Sequence, residues 1–197
     1  MKIITIIDLE WNSWKFNYNI GYKLSENREK WQHKDLLQIG AINFNPKTYE
    51  IIGKLNILIK PKFNPKLNYY IVTLLNLNAQ YFKRHAISFK RAHERLINFT
   101  KNSSFIICNG DDGLIYKKNL EYNKIKDLRI NFLNIRNLLK KKYTINEKNI
   151  SSPNLHNLIK KNESYRPHNP IDDALSILSF LKNKREVFNC SKLRLNK

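Results

Sequence analysis

Apolar residues recur along the chain in two rhythms, and each predicts its own kind of element. The run Ile3-Ile4-Thr5-Ile6-Ile7 is almost unbroken, the pattern of a strand buried on both faces, and it leads directly into Asp8-Leu9-Glu10. Residues 36–44 and 51–59 read as two further strands. Asn45-Pro46-Lys47-Thr48 between them is turn chemistry, so an antiparallel hairpin is expected, and Pro61 and Pro65 close its second strand. A short apolar run over 105–108 stops at Asn109-Gly110-Asp111-Asp112, and a fifth strand is expected at 132–135.

The second rhythm is helical. Phe89, Ala92, Leu96 and Phe99 follow Ser88, a good N-cap, at helical spacing. Shorter helices are expected near 68–77 and 79–84, from the Asp111-Asp112 pair to about 122, and up to about 143. Ser152-Pro153 has the N-cap and first-position chemistry of a helix through Leu155, Leu158 and Ile159. The last helix opens at Asn169-Pro170 and carries Ala174, Leu175, Leu178 and Leu181. Strands early and helices late predict one α/β domain over 1–184, followed by a basic tail at 185–197. Residues 11–34 have no clean period and read as a loop or partly helical insertion. Its Trp14, Phe16, Tyr18, Tyr22 and Trp31 suit either stacking on bases or pinning the loop.

Charge changes the picture next. The 197 residues are 42% apolar, enough for a sizeable core, yet 36 Lys+Arg against 16 Asp+Glu give a net charge of +20. Such an excess attracts polyanions, nucleic acid first and anionic membrane second. An AT-rich coding sequence alone would enrich Lys, Asn and Ile, but it does not explain why acids are so few. Six of the sixteen acids, Asp8, Glu10, Asp111, Asp112, Asp172 and Asp173, occupy three places. Cys108 and Cys190 allow at most one disulfide and form no C-x-x-C pair, and Cys108 reads as a small buried hydrophobe. With no cleavable signal pattern and no apolar run near the ~18–20 residues that span a bilayer, a cytoplasmic location and no membrane association are expected.

The three acid clusters carry the candidate chemistry. Residues i and i+2 of a strand point to one face, so Asp8 and Glu10 project side by side, and paired carboxylates are hard-cation ligands. An ordinary strand end turning into a loop has the same pattern, so the other acids must decide. If the strand over 105–108 pairs in parallel with the first strand, Asp112 joins Asp8 and Glu10. The segment Arg166-Pro167-His168-Asn169-Pro170-Ile171-Asp172-Asp173 puts His168 just before a helix and Asp173 in its first turn, where both can face one point. Asp there also suits the helix dipole, and a loop histidine can be without special purpose.

Taken together, Asp8-Leu-Glu10, Gly110-Asp111-Asp112 and His168-Asn-Pro-Ile-Asp172-Asp173 resemble the motifs of the DEDDh 3′→5′ exonucleases, which have a ribonuclease H-like fold. Gln38-Ile-Gly-Ala-Ile42, Ile59-Lys-Pro61, Phe132-Leu-Asn-Ile-Arg136 and Arg166-Pro-His168 look like the RNA-directed branch that trims small RNAs and structured RNA 3′ ends. The resemblance spans about residues 3–184. Two departures stand out. Leu75-Asn76-Leu77-Asn78 occupies the place of a Leu-Thr-Gly-like turn near the 3′-terminal nucleotide and lacks its Gly, and Asn109 stands where the second motif commonly has Trp. Asp111 and Asp112 leave two registers for that motif, and Asp112 keeps the family's spacing to Lys118-Asn119-Leu120.

The resemblance implies a mixed five-stranded sheet, an antiparallel hairpin plus parallel strands, flanked by helices. It also implies two Mg²⁺ ions, with Mn²⁺ as a substitute, held by Asp8, Glu10, Asp112 and Asp173. Asp8 would bridge both ions, Glu10 and Asp173 would hold one, and Asp112 would steady the other. His168 would be the general base, single-stranded RNA or DNA 3′ ends the partners, and nucleoside 5′-monophosphates the products. Two rivals follow from the same residues: a DNA-directed, proofreading-like exonuclease, and a nucleic-acid-binding scaffold without activity.

Overall fold

A computed structural model describes residues 2–12, 33–63, 65, 67, 69–126, 129–142, 150–159 and 165–185. Strand β1, Ile3–Trp11, lies at the centre of a five-stranded sheet. On one side it pairs antiparallel with β2, Leu36–Phe44, which turns through the expected hairpin into β3, Ile51–Leu58. On the other side β4, Ser103–Cys108, pairs in parallel with β1, and β5, Phe132–Asn134, pairs in parallel with β4. The order β3-β2-β1-β4-β5 makes β1 and β4 the neighbours that the acids at their ends require. One expectation shifts slightly: β1 does not stop at its acids but continues through them to Trp11, with a register irregularity between Glu10 and Trp11.

Burial on both faces follows from the alternation of side chains. Ile4, Ile6, Ile42 and Phe44 pack against Ile177, Phe180 and Leu181 of the last helix, here α6, Pro170–Asn183. Ile7, Leu9, Ile39 and Ala41 face the opposite way, toward Phe89, Ala92 and Leu96 of α3, Phe89–Thr100, and Ile115, Tyr116 and Leu120 of α4, Asp112–Tyr122. Each fully buried Ile, Leu or Phe contributes about 1.5–3 kcal/mol to this sandwich. Thr5, the one polar residue in the apolar first half of β1, is satisfied: its hydroxyl donates to Asn43 Oδ1 at 2.6 Å, and Asn43 Nδ2 donates to the Phe99 carbonyl at 2.9 Å. Asn119 ties α4 to the entrance of β2, accepting from the Leu36 amide at 3.1 Å and donating to the Lys34 carbonyl at 2.8 Å.

Two short helices, α1 (Tyr69–Leu74) and α2 (Ala79–His85), cover the hairpin's edge through Leu37, Ile71, Leu75, Phe82 and Ala86. Between them Asn76 sits at φ 46°. Asn is one of the few residues that tolerate this left-handed region, so the turn keeps a conformation for which glycine is the usual choice. Ser88 caps α3 as expected, its hydroxyl accepting from the Arg91 amide. Helix α5, Arg136–Lys142, follows β5 directly.

The segment Ser152–Ile159 forms a 3-10 helix, not the α-helix that a Ser-Pro start suggests. Ser152 is its first residue, and its hydroxyl faces Asp8. Cys108 is buried with a free thiol, while Cys190, most of the 11–34 insertion and nearly all of the basic tail lie outside the described residues.

Candidate active site

Asp8 and Glu10 project from the face of β1 that α6 covers, and the fold brings Asp173 to them from α6 itself. Asn169 starts that helix by accepting from the Ile171 and Asp172 amides, both at 3.2 Å, and Pro170 supplies a preset first turn. Asp173 therefore sits on a rigid first turn over β1. One carboxylate oxygen from each of Asp8, Glu10 and Asp173 lies within 4.8 Å of the others. Asp112, in the first turn of α4, is tied to the same strand by its Oδ1, which accepts the Leu9 amide at 3.0 Å.

The four acids are buried together, and their electrostatics show the strain. Burial first, then repulsion from Asp112, Asp173 and Glu10, drives the Asp8 carboxyl well above its ordinary value. Burial and repulsion from Asp173 and Asp112 push Glu10 up to about 8. Burial carries Asp173 to about 7, against the backbone amide of His168, which donates to its carboxylate. Asp112 reaches about 6, raised by burial and restrained by the Leu9 amide and the Arg136 guanidinium. Without a cation, such a cluster holds protons near neutrality.

A cation fits it. Asp173 is only 2% exposed, and its Oδ1 is buried with no hydrogen-bond partner. A buried carboxylate oxygen left without a donor is unfavourable unless a positive ligand completes it. The donor set is all oxygen, as hard divalent cations such as Mg²⁺ and Mn²⁺ prefer.

His168 stands at the rim. Its Nδ1 lies 3.8 Å from Glu10 Oε1, and its side chain is 41% exposed while that of Glu10 is 12% exposed. The residue adopts φ 60°, a left-handed conformation that folds the chain sharply before Asn169. Of the adjacent acids, Asp111 is exposed whereas Asp112 is buried. Asp172 turns outward to an ion pair with Arg166 at 2.9 Å.

Three residues at the site carry no signal strong enough to find in advance. Asn109 donates through Nδ2 to the Ile150 carbonyl at 2.7 Å and reaches Ser152 Oγ at 3.5 Å. Ser152 in turn lies against Asp8. Arg136 donates through Nη2 to the Asn109 carbonyl at 2.8 Å and lies over Gly110, where a β-carbon would stand 2.8 Å from that nitrogen. The sequence marks Asn109 as a departure from the second motif and Arg136 as part of a branch-like segment, but neither these nor Ser152-Pro153 shows that they meet at the site.

Beside the acids a cavity of about 460 Å³ opens between the hairpin and the α1–α2 turn, lined in part by Gln38, Asn56, Asn76, Tyr81, His85 and Arg95. Gln38 is the cross-strand partner of Glu10, and Asn169 also reaches the cavity, so its wall adjoins the acid cluster. Among the described residues no helix is long and apolar enough to cross a membrane.

A family model described as "Exonuclease" matches residues 6–181. No curated protein matches by sequence. Among solved structures, the chain is similar to the nuclease domain of 3′hExo, a DEDDh family member bound to rAMP. The TM-score is 0.77 at 16% identity, covering 100% of this chain and 96% of that one. It is also similar to cell-death related nuclease 4, with TM-score 0.70, 13% identity, and coverage of 94% of this chain and 64% of that one. E. coli Exonuclease I in complex with a dT13 oligonucleotide gives TM-score 0.65 at 11% identity, over 94% of this chain and 41% of that one. These likenesses establish a ribonuclease H-like fold for the chain.

Proposed function

Since the chain belongs to the exonuclease family whose model spans residues 6–181, we propose that it shortens single-stranded nucleic acid from the 3′ end, RNA by preference, and releases nucleoside 5′-monophosphates. The observation that carries this is the convergence of Asp8, Glu10 and Asp173 oxygens within 4.8 Å under cover, with a histidine at the rim. Asp8, Glu10 and Asp173 are the ligands we assign to the divalent ions, and Asp112, tied to the Leu9 amide, the acid that steadies the site. Divalent ions there, Mg²⁺ or Mn²⁺, would supply the positive charge that activates water and neutralises the phosphate and the departing 3′ oxygen.

The chain's own groups do the rest. The basic excess draws the strand in by its phosphates, a contact that does not distinguish RNA from DNA. His168 faces Glu10 with Nδ1, which leaves Nε2 to take the proton of the attacking water. Glu10, 3.8 Å away, favours the protonated imidazole by its charge, and the half-open position of His168 lets that proton pass on to solvent. The preference for RNA is supported by the segments that look like the RNA-directed branch. A further similar structure, at TM-score 0.72 and 14% identity, concerns recognition of a histone mRNA stem-loop by 3′-exonuclease. The DNA complex of Exonuclease I keeps DNA as the alternative to be tested.

The test is digestion of 5′-labelled single-stranded RNA and DNA of one sequence, with Mg²⁺ or Mn²⁺, with EDTA, and with Asp8→Ala. A ladder that shortens from the 3′ end, needs the ion and vanishes in the variant is expected, with RNA cut faster. An intact protein that binds both oligomers and shortens neither would instead make it a binding scaffold.

A further inference from the structure

Ser152 belongs to none of the roles assigned above, yet it is 5% exposed and its hydroxyl lies against the Asp8 carboxylate. Its other polar neighbour is Asn109, whose Nδ2 reaches Ser152 Oγ at 3.5 Å while donating to the Ile150 carbonyl at 2.7 Å. A hydroxyl that faces an N–H on one side has its own proton to give on the other, and the carboxylate, ionised when it holds a cation, can then only accept. Donors therefore run in one direction, from the end of β4 through Asn109 and Ser152 to Asp8.

Geometry supports a purpose beyond packing. Asn109 Oδ1 is buried without a partner, an unfavourable arrangement that mere filling of space would not require. The amide also binds the 150–152 backbone to the end of β4, and Arg136 fixes the Asn109 carbonyl from the far side at 2.8 Å. Ser152 is thus presented to Asp8 by two anchored segments, not by a free loop. Groups that hydrogen-bond a ligating carboxylate orient it, and their loss typically costs about 10–100-fold in ion affinity or activity.

We propose that Ser152, oriented by Asn109, is a positioning residue that holds the Asp8 carboxylate in the orientation needed to take up divalent ions with Glu10 and Asp173. This rests on the exonuclease assignment above and adds to it a residue for which the resemblance supplies no role. The full chain, Ser152→Ala and Ser152→Thr are compared by the affinity for Mn²⁺ alone, read from the electron paramagnetic resonance of the free ion. The kcat and KM on a 5′-labelled oligonucleotide are measured alongside. Ser152→Ala is expected to bind Mn²⁺ about tenfold more weakly and to lose kcat by a similar factor at unchanged KM. Ser152→Thr, which keeps the hydroxyl, is expected to recover most of both.

Wild-type affinity and kcat in Ser152→Ala would overturn the proposal. So would a Thr variant that lowers the melting temperature and activity as much as Ala does, since that is a packing effect. If Ser152→Ala does not fold, Asn109→Leu keeps the serine and removes its donor, and weaker Mn²⁺ binding is again expected. A wild-type chain that neither binds Mn²⁺ nor shortens the oligonucleotide would remove the exonuclease assignment itself, a result distinct from one in which only the variants match wild type.

Discussion

Gly40 and Pro170 meet backbone to backbone: a β-carbon on Gly40 would stand 2.3 Å from the carbonyl carbon of Pro170. Gly40 is also the cross-strand partner of Asp8. The bare backbone of β2 is therefore what lets the first turn of α6 settle beside the first acid and bring Asp173 to it. In Gly40→Ala the helix must lift or tilt. We expect a stability loss of about 1–3 kcal/mol by overpacking, read as a lower melting temperature. A fall in kcat of at least about tenfold should accompany it, since small misplacements of reacting groups are costly. An unchanged kcat would mean that the helix start does not set the geometry.

Replacing His168 by Gln should spare the fold and Mn²⁺ binding while lowering kcat by about 10²–10⁴-fold, the usual contribution of a positioned proton acceptor. Steady-state rates and Mn²⁺ titration of the same preparation check this. Weakened Mn²⁺ binding of the same size as the kcat loss would show His168 acting through the ions, not on the water.

The acid cluster makes the ion-free protein sensitive to pH in a defined direction. Burial raises the folded-state pKa of Asp112 to about 6, Asp173 to about 7 and Glu10 to about 8. The unfolded chain's carboxyls titrate near the ordinary value of about 4, so the folded state binds more protons between about pH 4 and 8. This contribution to stability is full below the unfolded value and is lost as pH rises through the folded values. Melting temperature in EDTA should therefore fall from about pH 5 to about pH 8.5, and Mg²⁺ should restore it most at the higher pH. Glu10→Gln should flatten the slope, and a slope unchanged by that substitution would assign the effect elsewhere.

Asn76 offers a conformational test. At φ 46° it holds a position where glycine is unstrained. Asn76→Gly should be tolerated in both stability and activity, whereas Asn76→Val should destabilise by about 1–2 kcal/mol, since a β-branched side chain resists that region. Melting curves of the two variants decide it.

The sheet was legible because its signals are local and redundant. The β2–β3 hairpin follows from its turn residues, β1 from an unbroken apolar run, and α3 from Ser88 with a helical stripe behind it. Asp8, Glu10, Asp112 and Asp173 stood out because acids are scarce in this chain and arrive in clusters, and His168 because it stands just before the helix that carries Asp173. What escaped depends on partners remote in sequence. Ser152 looks like a helix cap until its hydroxyl is seen to face Asp8. Gly40 did carry a clue, since a glycine inside a strand often marks close approach of another backbone. Which backbone approaches it could not be read from β2 alone.

The left-handed turn at His168 has one more consequence. Its amide donates to the carboxylate of Asp173. The hydrogen-exchange rate of that single amide is thereby tied to the charge Asp173 carries. If Asp173 holds ions as proposed, exchange at that amide would report their arrival, readable in deuterated buffer without any substrate.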